Sequence, residues 1–197
     1  MNDANPLYVQ KGNAALRPAT THSLSFDLNT TRNNAQLYNF SLSYQRTRNA
    51  QATERNYNTK TGGYTVRPVN VNGNWRSDGS LVLNRLFGKQ KQFTWSSHTS
   101  YTFNHNVDMA NVDGAVSNHL STIRNLYLRE QFTLGYSQNG WNLGAKVRVS
   151  YNRLTGKRED FTNISAWDYN YGLTPHPIAL GHRPEHRLHR IQSPGLR

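Results

Sequence analysis

The chain contains no cysteine in its 197 residues, which excludes a disulfide framework and any site built on thiolate ligands. It also lacks a run of about 20 apolar residues, so no helix can span a bilayer. That absence does not reach membrane barrels, in which every second residue faces water and mean hydropathy stays low; here it is −0.82. Acidic residues are scarce, 11 against 23 lysines and arginines, for a net charge of +12. The segment from Thr174 contributes +3 of this, through Arg183, Arg187, Arg190 and Arg197 against Glu185, and the remaining charge is scattered over loops and strand faces. No stripe or helix gathers it into a nucleic-acid surface, so no nucleic-acid partner is expected.

Catalytic signatures are missing as well. There is no G-x-x-x-x-G-K-S/T phosphate loop and no G-x-S-x-G elbow. His182, His186 and His189 have helix-like spacing, but Pro184 interrupts them and no H-E-x-x-H pattern follows. Asp108 and Asp113 flank a long loop and read as turn residues rather than a cation site. Asn29, Asn39 and Asn163 fit N-x-S/T incidentally. The expectation is therefore no enzyme, no cofactor and no metal. The start, "MNDANPLYVQ", lacks the basic and apolar regions of a signal peptide. Two readings stay open: the protein remains inside the cell, or its true start lies upstream.

What the chain does have is strict alternation. In "THSLSFDLNTT" Leu24, Phe26 and Leu28 share one parity, and in "LYNFSLSYQRT" Tyr38, Phe40, Leu42 and Tyr44 do; a polar turn joins the two as a hairpin. The run "VNVNGNWRSDGSLVLNRLF" keeps Val69, Val71, Trp75, Leu81 and Leu83 in phase and reads as one long strand, bent or bulged at Gly73 and Gly79. Four more runs follow. They carry Phe93, Trp95, Tyr101 and Phe103; Leu126, Leu128, Phe132, Leu134 and Tyr136; Trp141, Leu143, Ala145, Val147, Val149 and Tyr151; and Trp167, Tyr169, Tyr171 and Leu173. The pattern predicts an all-β, antiparallel, up-and-down sheet of about seven strands.

Several of these runs reach roughly 11 residues, against a mean of about 5 to 6 in soluble proteins; that length crosses a bilayer at a tilt of about 45°. The connections near 33–36, 88–92 and 138–140 are tight, whereas those near 48–65, 106–121 and 152–165 are long and polar. Such asymmetry, with aromatic residues near both ends of the strands, belongs to outer-membrane barrels. On this reading the lipid-facing residues are Leu24, Phe26, Leu28, Tyr38, Phe40, Leu42, Trp95, Tyr101, Phe103, Leu126, Leu128, Phe132, Leu134, Trp141, Leu143, Val147, Val149, Trp167, Tyr169 and Tyr171. Serine, asparagine, threonine, glutamine and arginine of the opposite parity would face the lumen.

Ahead of the first strand, "GNAALRPATTHSLSF" carries Gly12, Asn13, Leu16 and Pro18. It resembles the G-N-x-x-L-x-P segment that precedes a barrel strand in TonB-dependent receptors and in the receptor-like outer membrane protein beta-barrel family, and "NVNGNW" at 70–75 is in the same style. The resemblance covers most of the chain up to about Leu173. It implies the outer membrane of a Gram-negative bacterium and nutrient uptake through a barrel of roughly 22 strands, closed by a plug that responds to TonB. The plug, through which alone TonB would act, and the earlier strands have no counterpart here. The expected partners are accordingly outer-membrane lipid, the remaining barrel strands and a plug domain.

Seven strands cannot close by themselves. Each open edge would leave roughly five backbone groups unsatisfied in hydrocarbon at several kcal/mol apiece, more in total than the roughly 5–15 kcal/mol that stabilise a typical domain. The chain therefore reads as the C-terminal portion of a barrel, truncated and not competent for transport alone. The alternative is a soluble or surface β-sheet protein that binds a polymer or partner through its long loops.

By this reading, 1–20 is an extracellular-loop-like lead-in, 21–173 is the partial barrel, and 174–197 is a disordered tail. The tail departs in composition, holding four of the seven prolines and half of the eight histidines. Read one base forward with permitted synonymous codons, it yields a strand ending at an L-P-W-D turn and a further alternating strand, as a single-base frameshift near codon 174 would produce. Sequencing the gene and its flanks is expected to show the second frame continuing into alternating strands; a second frame without coding sense would make the tail genuine protein.

Overall fold

A computed structural model describes residues 7–32, 36–110, 119–157 and 161–177. Ten strands follow in order: β1 Tyr8–Gln10, β2 Thr20–Arg32, β3 Gln36–Arg48, β4 Ala50–Asn58, β5 Gly63–Val71, β6 Asn74–Phe87, β7 Phe93–Ala110, β8 His119–Gln138, β9 Trp141–Gly156 and β10 Ile164–Pro177. Seven form one sheet in the order β10-β9-β8-β7-β6-β3-β2, every neighbouring pair antiparallel. The sheet is open, with β2 and β10 at its edges. The all-β, up-and-down architecture read from the alternation is the architecture observed.

Turn chemistry fixes which strands are neighbours. Asn139 and Gly140 both have positive φ, 52° and 74°, the backbone a two-residue hairpin needs to match the twist of its strands. The β6–β7 turn is held by side chains: Gln92 Oε1 accepts from Gln90 N (3.0 Å), and Gln138 Nε2 donates to Gln90 Oε1 (2.6 Å). Both turns lie at one end of the sheet. At the other end the strands run on, to 18 residues in β7 and 20 in β8.

The strand bounds correct the sequence reading in three places. The run from Val69 to Phe87 is two strands, because at Gly73 the backbone turns to φ 114° and a Cβ there would meet Val107 at 2.8 Å. Val69 and Val71 thus belong to a separate sheet ordered β1-β5-β4, and the connection read as a long loop near 48–65 is largely strand. The expected loops near 106–121 and 152–165 also shrink, since β7, β8 and β9 extend into them. Finally, β10 continues past Leu173 to Pro177, pairing Pro175 with Leu143 and Pro177 with Trp141; an edge strand tolerates proline. Residues 178–197, and with them His182, His186, His189 and the arginines of the expected tail, lie outside the described residues, as does Asp113.

The small sheet holds the chain's compact apolar centre: Ala52, Val66 and Val71 are the buried hydrophobic residues among those described. Glu54 and Arg67 pair across it, and the hydrogen bond to Glu54, then its charge, raises the pKa of the Arg67 guanidinium. Three asparagines at alternate positions join this sheet to its surroundings. Asn70 Oδ1 accepts from Arg17 N (2.7 Å), while its Nδ2 donates to Arg17 O (2.9 Å) and Asn49 O (2.8 Å). Asn72 Oδ1 accepts from Asn49 N (2.9 Å), and Asn74 Oδ1 accepts from Val107 N (2.6 Å). Asn13 Nδ2 donates to Pro68 O (2.9 Å), so both stretches that carried the resemblance, "GNAALRP" and "NVNGNW", meet along β5.

Asn70→Ala removes three hydrogen bonds at the place where the lead-in docks, and each is worth about 1 kcal/mol. The expected outcome is faster amide exchange and earlier proteolysis at 11–17 with β7–β9 protection unchanged, measured by hydrogen exchange; unchanged protection at 11–17 would remove Asn70 from that role.

Candidate functional site

Because register fixes which residues lie side by side, the sheet can be read in rows. Leu28, Phe40, Leu81, Thr99, Glu130, Val149 and Tyr169 form one row across all seven strands. Phe26, Leu42, Gly79, Tyr101, Leu128, Tyr151 and Trp167 form the next toward the far end. All twenty residues selected from the sequence fall on this one face, which is apolar and uncovered: Leu24 is 73% exposed, Tyr171 60% and Trp141 55%. Among the described residues no large side chain is fully buried. The sheet has an apolar face without a core beneath it.

Local packing on this face is specific nevertheless. The ring of Tyr101 lies over Gly79, where a Cβ would sit 2.3 Å from Cε1, and its hydroxyl is 3.0 Å from Ser77 Oγ; the aromatic covers backbone that glycine leaves bare. Toward the far end Trp75 stacks on Phe103 with Tyr44 tilted against it, and Tyr151 packs on Trp167. At the tight-turn end Phe93 bridges Phe87 and Tyr136, and with Leu134, Leu143 and Leu173 they line a groove of 600 Å³.

Sequence reasoning passed over one residue here. Between Leu128 and Phe132 stands Glu130, a carboxylate on the apolar face. Ser97 Oγ donates to its Oε1 at 2.8 Å and the Thr99 hydroxyl donates to its Oε2. The break in the apolar parity of β8 was the signal, and the donors were invisible because they lie 33 and 31 residues away.

The opposite face is mostly polar, with Leu37, Val82, Leu86, Ile123 and Leu154 among its apolar members. Ser41 and Ser80 hydroxyls meet at 2.8 Å. Arg76 makes two bonds of 2.7 Å to Asp78, which also accepts from Thr102. Arg129 donates through Nη2 to Tyr127 OH at 2.6 Å, Tyr127 OH donates to Ser150 Oγ, and Arg148 donates to Gln131 Oε1 at 2.8 Å. Arg129, Arg148 and Lys146 sit together on β8 and β9, and none of them forms an ion pair among the described residues. Asp108 accepts a hydrogen bond from Met109 N, but it lies within β7 paired with Ser121 rather than in the expected turn.

Long antiparallel strands, tight turns at one end, one bare apolar face and one polar face define the wall of a membrane β-barrel. The chain matches the model of the outer membrane protein beta-barrel family over residues 1–174 and belongs to that family. It is accordingly an outer-membrane protein associated with membrane lipid. Comparison with curated proteins and with solved structures gave no match.

Glu130 and its two donors should behave as a unit. Ser97→Ala with Thr99→Val leaves the carboxylate unsatisfied and should lower stability in detergent micelles by about 1–3 kcal/mol per lost partner. Adding Glu130→Leu should recover most of that loss, as measured by thermal melts of the four-variant set; strictly additive losses would separate the three residues.

Proposed function

We propose that the chain is a section of wall in a TonB-dependent receptor-like uptake barrel, its apolar face against outer-membrane lipid and its polar face along the passage. The observation that carries this is the seven-stranded sheet in which most of the large apolar residues, and nearly all the aromatics, share one face and lie bare. In water such a face drives association; in lipid it needs no cover. The strands of the sheet have 13 to 20 residues, more than the roughly 9–11 that span a bilayer.

The open edges set the partners of this reading. The unpaired backbone of β2 and β10 is satisfied in hydrocarbon only by further strands, so the remaining barrel strands complete the wall, and a plug domain that engages TonB occupies the lumen. Arg129, Lys146 and Arg148, which form no ion pair among the described residues, give that lumen a positive stretch, suited to a solute with anionic groups. The small sheet at the far end stands where long loops meet ligand. No enzymatic step belongs to this role.

Since the native chain has no cysteine, single cysteines report without background. Leu128→Cys and Arg129→Cys are chain neighbours on opposite faces. In membranes of cells making the full chain, a membrane-impermeant maleimide should label Arg129→Cys at least about tenfold faster, and a quencher carried on a lipid chain should reach only a probe at 128. Equal labelling, with the chain monomeric and folded in detergent-free buffer, would replace this reading with the soluble, loop-binding sheet.

A further inference from the structure

One row of the apolar face is not apolar. Immediately beyond the row that holds Tyr44 and Phe103, register places His22, Arg46, Trp75, His105 and Arg124 side by side across five strands. Arg48 lies one step further out on β3, and Arg153 stands beside Leu126 on β9. Arg46, Arg48, Arg124 and Arg153 are all exposed. His105 stacks on Trp75 with planes 10° apart, and its Nδ1 lies 2.9 Å from Gly73 O, so the ring is fixed in the row.

Glu130 is the one carboxylate on this face among the described residues, three rows below and already hydrogen-bonded. Among the described residues the four arginines therefore form a cationic belt with no carboxylate in their rows. Strands lie about 4.8 Å apart, which spreads the belt from Arg46 to Arg124 over roughly 14 Å.

From this juxtaposition we infer that the belt is a binding site for the phosphorylated headgroup of a membrane glycolipid. The inference rests on the membrane reading proposed above. Tight turns face the periplasm in outer-membrane barrels and the longer end faces outward, so the belt stands at headgroup level of the outer leaflet, with aromatic and aliphatic side chains beneath it for the acyl chains. Guanidinium groups bind phosphate through paired parallel hydrogen bonds. Among the described strand residues the tight-turn end carries only Arg32 and Arg85 on the same face, and they lie in one row with the neutral Gln36 between them.

The test uses the full chain with phosphatidylcholine vesicles, alone or containing diphosphorylated lipid A or its dephosphorylated form, read by flotation and by binding titration. Floating with plain phosphatidylcholine vesicles checks the membrane reading separately: failure there sinks both proposals, whereas flotation without phosphate preference sinks only this one. Tighter binding to the diphosphorylated form is expected, and Arg46→Gln/Arg48→Gln/Arg124→Gln/Arg153→Gln should weaken it on the order of 100-fold. The corresponding lysine variant should recover part of the affinity, which shows the chain still folds with the belt altered. Arg32→Gln/Arg85→Gln should leave it unchanged. Equal affinity in the glutamine variant, equal loss from the Arg32/Arg85 pair, or full competition by millimolar inorganic phosphate would overturn the assignment.

Discussion

Backbone amides in hydrocarbon have no water to bond with, and each unpaired group there costs several kcal/mol. The architecture of this chain follows from that constraint. Strands must be long enough to carry pairing through the full apolar depth, neighbours must be antiparallel so that short turns can link them, and no interior strand can end early. Seven strands of 13 to 20 residues in one continuous antiparallel ladder meet these conditions everywhere except at the two outer edges. Once the ladder exists, period two divides side chains between its faces without further instruction. The apolar face needs no partner layer, which is why the largest side chains of the sheet remain exposed.

Away from the membrane the rules change, and so does the chemistry. At the far end the chain builds a conventional small core around Ala52, Val66 and Val71 and fastens it with asparagine side chains. Asn70 holds the backbone of Arg17 and Asn49, Asn72 that of Asn49 and Asn74 that of Val107, a role for which an amide suits, because it both donates and accepts at short reach. The same end carries the arginines of the outer face. The small sheet and the arginine row thus stand beyond an apolar band in which Glu130 takes hydrogen bonds from Ser97 and Thr99.

Much of this was legible in the sequence, because side-chain direction in a strand is dictated by position alone. The phase of Leu24, Phe26 and Leu28, or of Trp141, Leu143 and Val147, is set by neighbours two residues away and survives any choice of partner strand. The Asn139–Gly140 pair likewise announces its turn, since both residues tolerate the backbone required. Composition and alternation together thus determined an all-β chain with one apolar face and ordered its hairpins.

Tertiary structure decided everything that depends on partners remote in sequence. Val69 and Val71 keep the parity of Trp75 across Gly73, yet a single glycine at φ 114° sends them into another sheet; parity cannot register a change of direction. Glu130 finds its donors on β7, and the arginine row exists only because register sets His22, Arg46, His105 and Arg124 at one height. The sequence by itself determined which side of its own strand each residue occupies, a local property of the extended backbone. Which residues stand together across strands was decided by pairing, because a shift of one residue in register would redistribute every row.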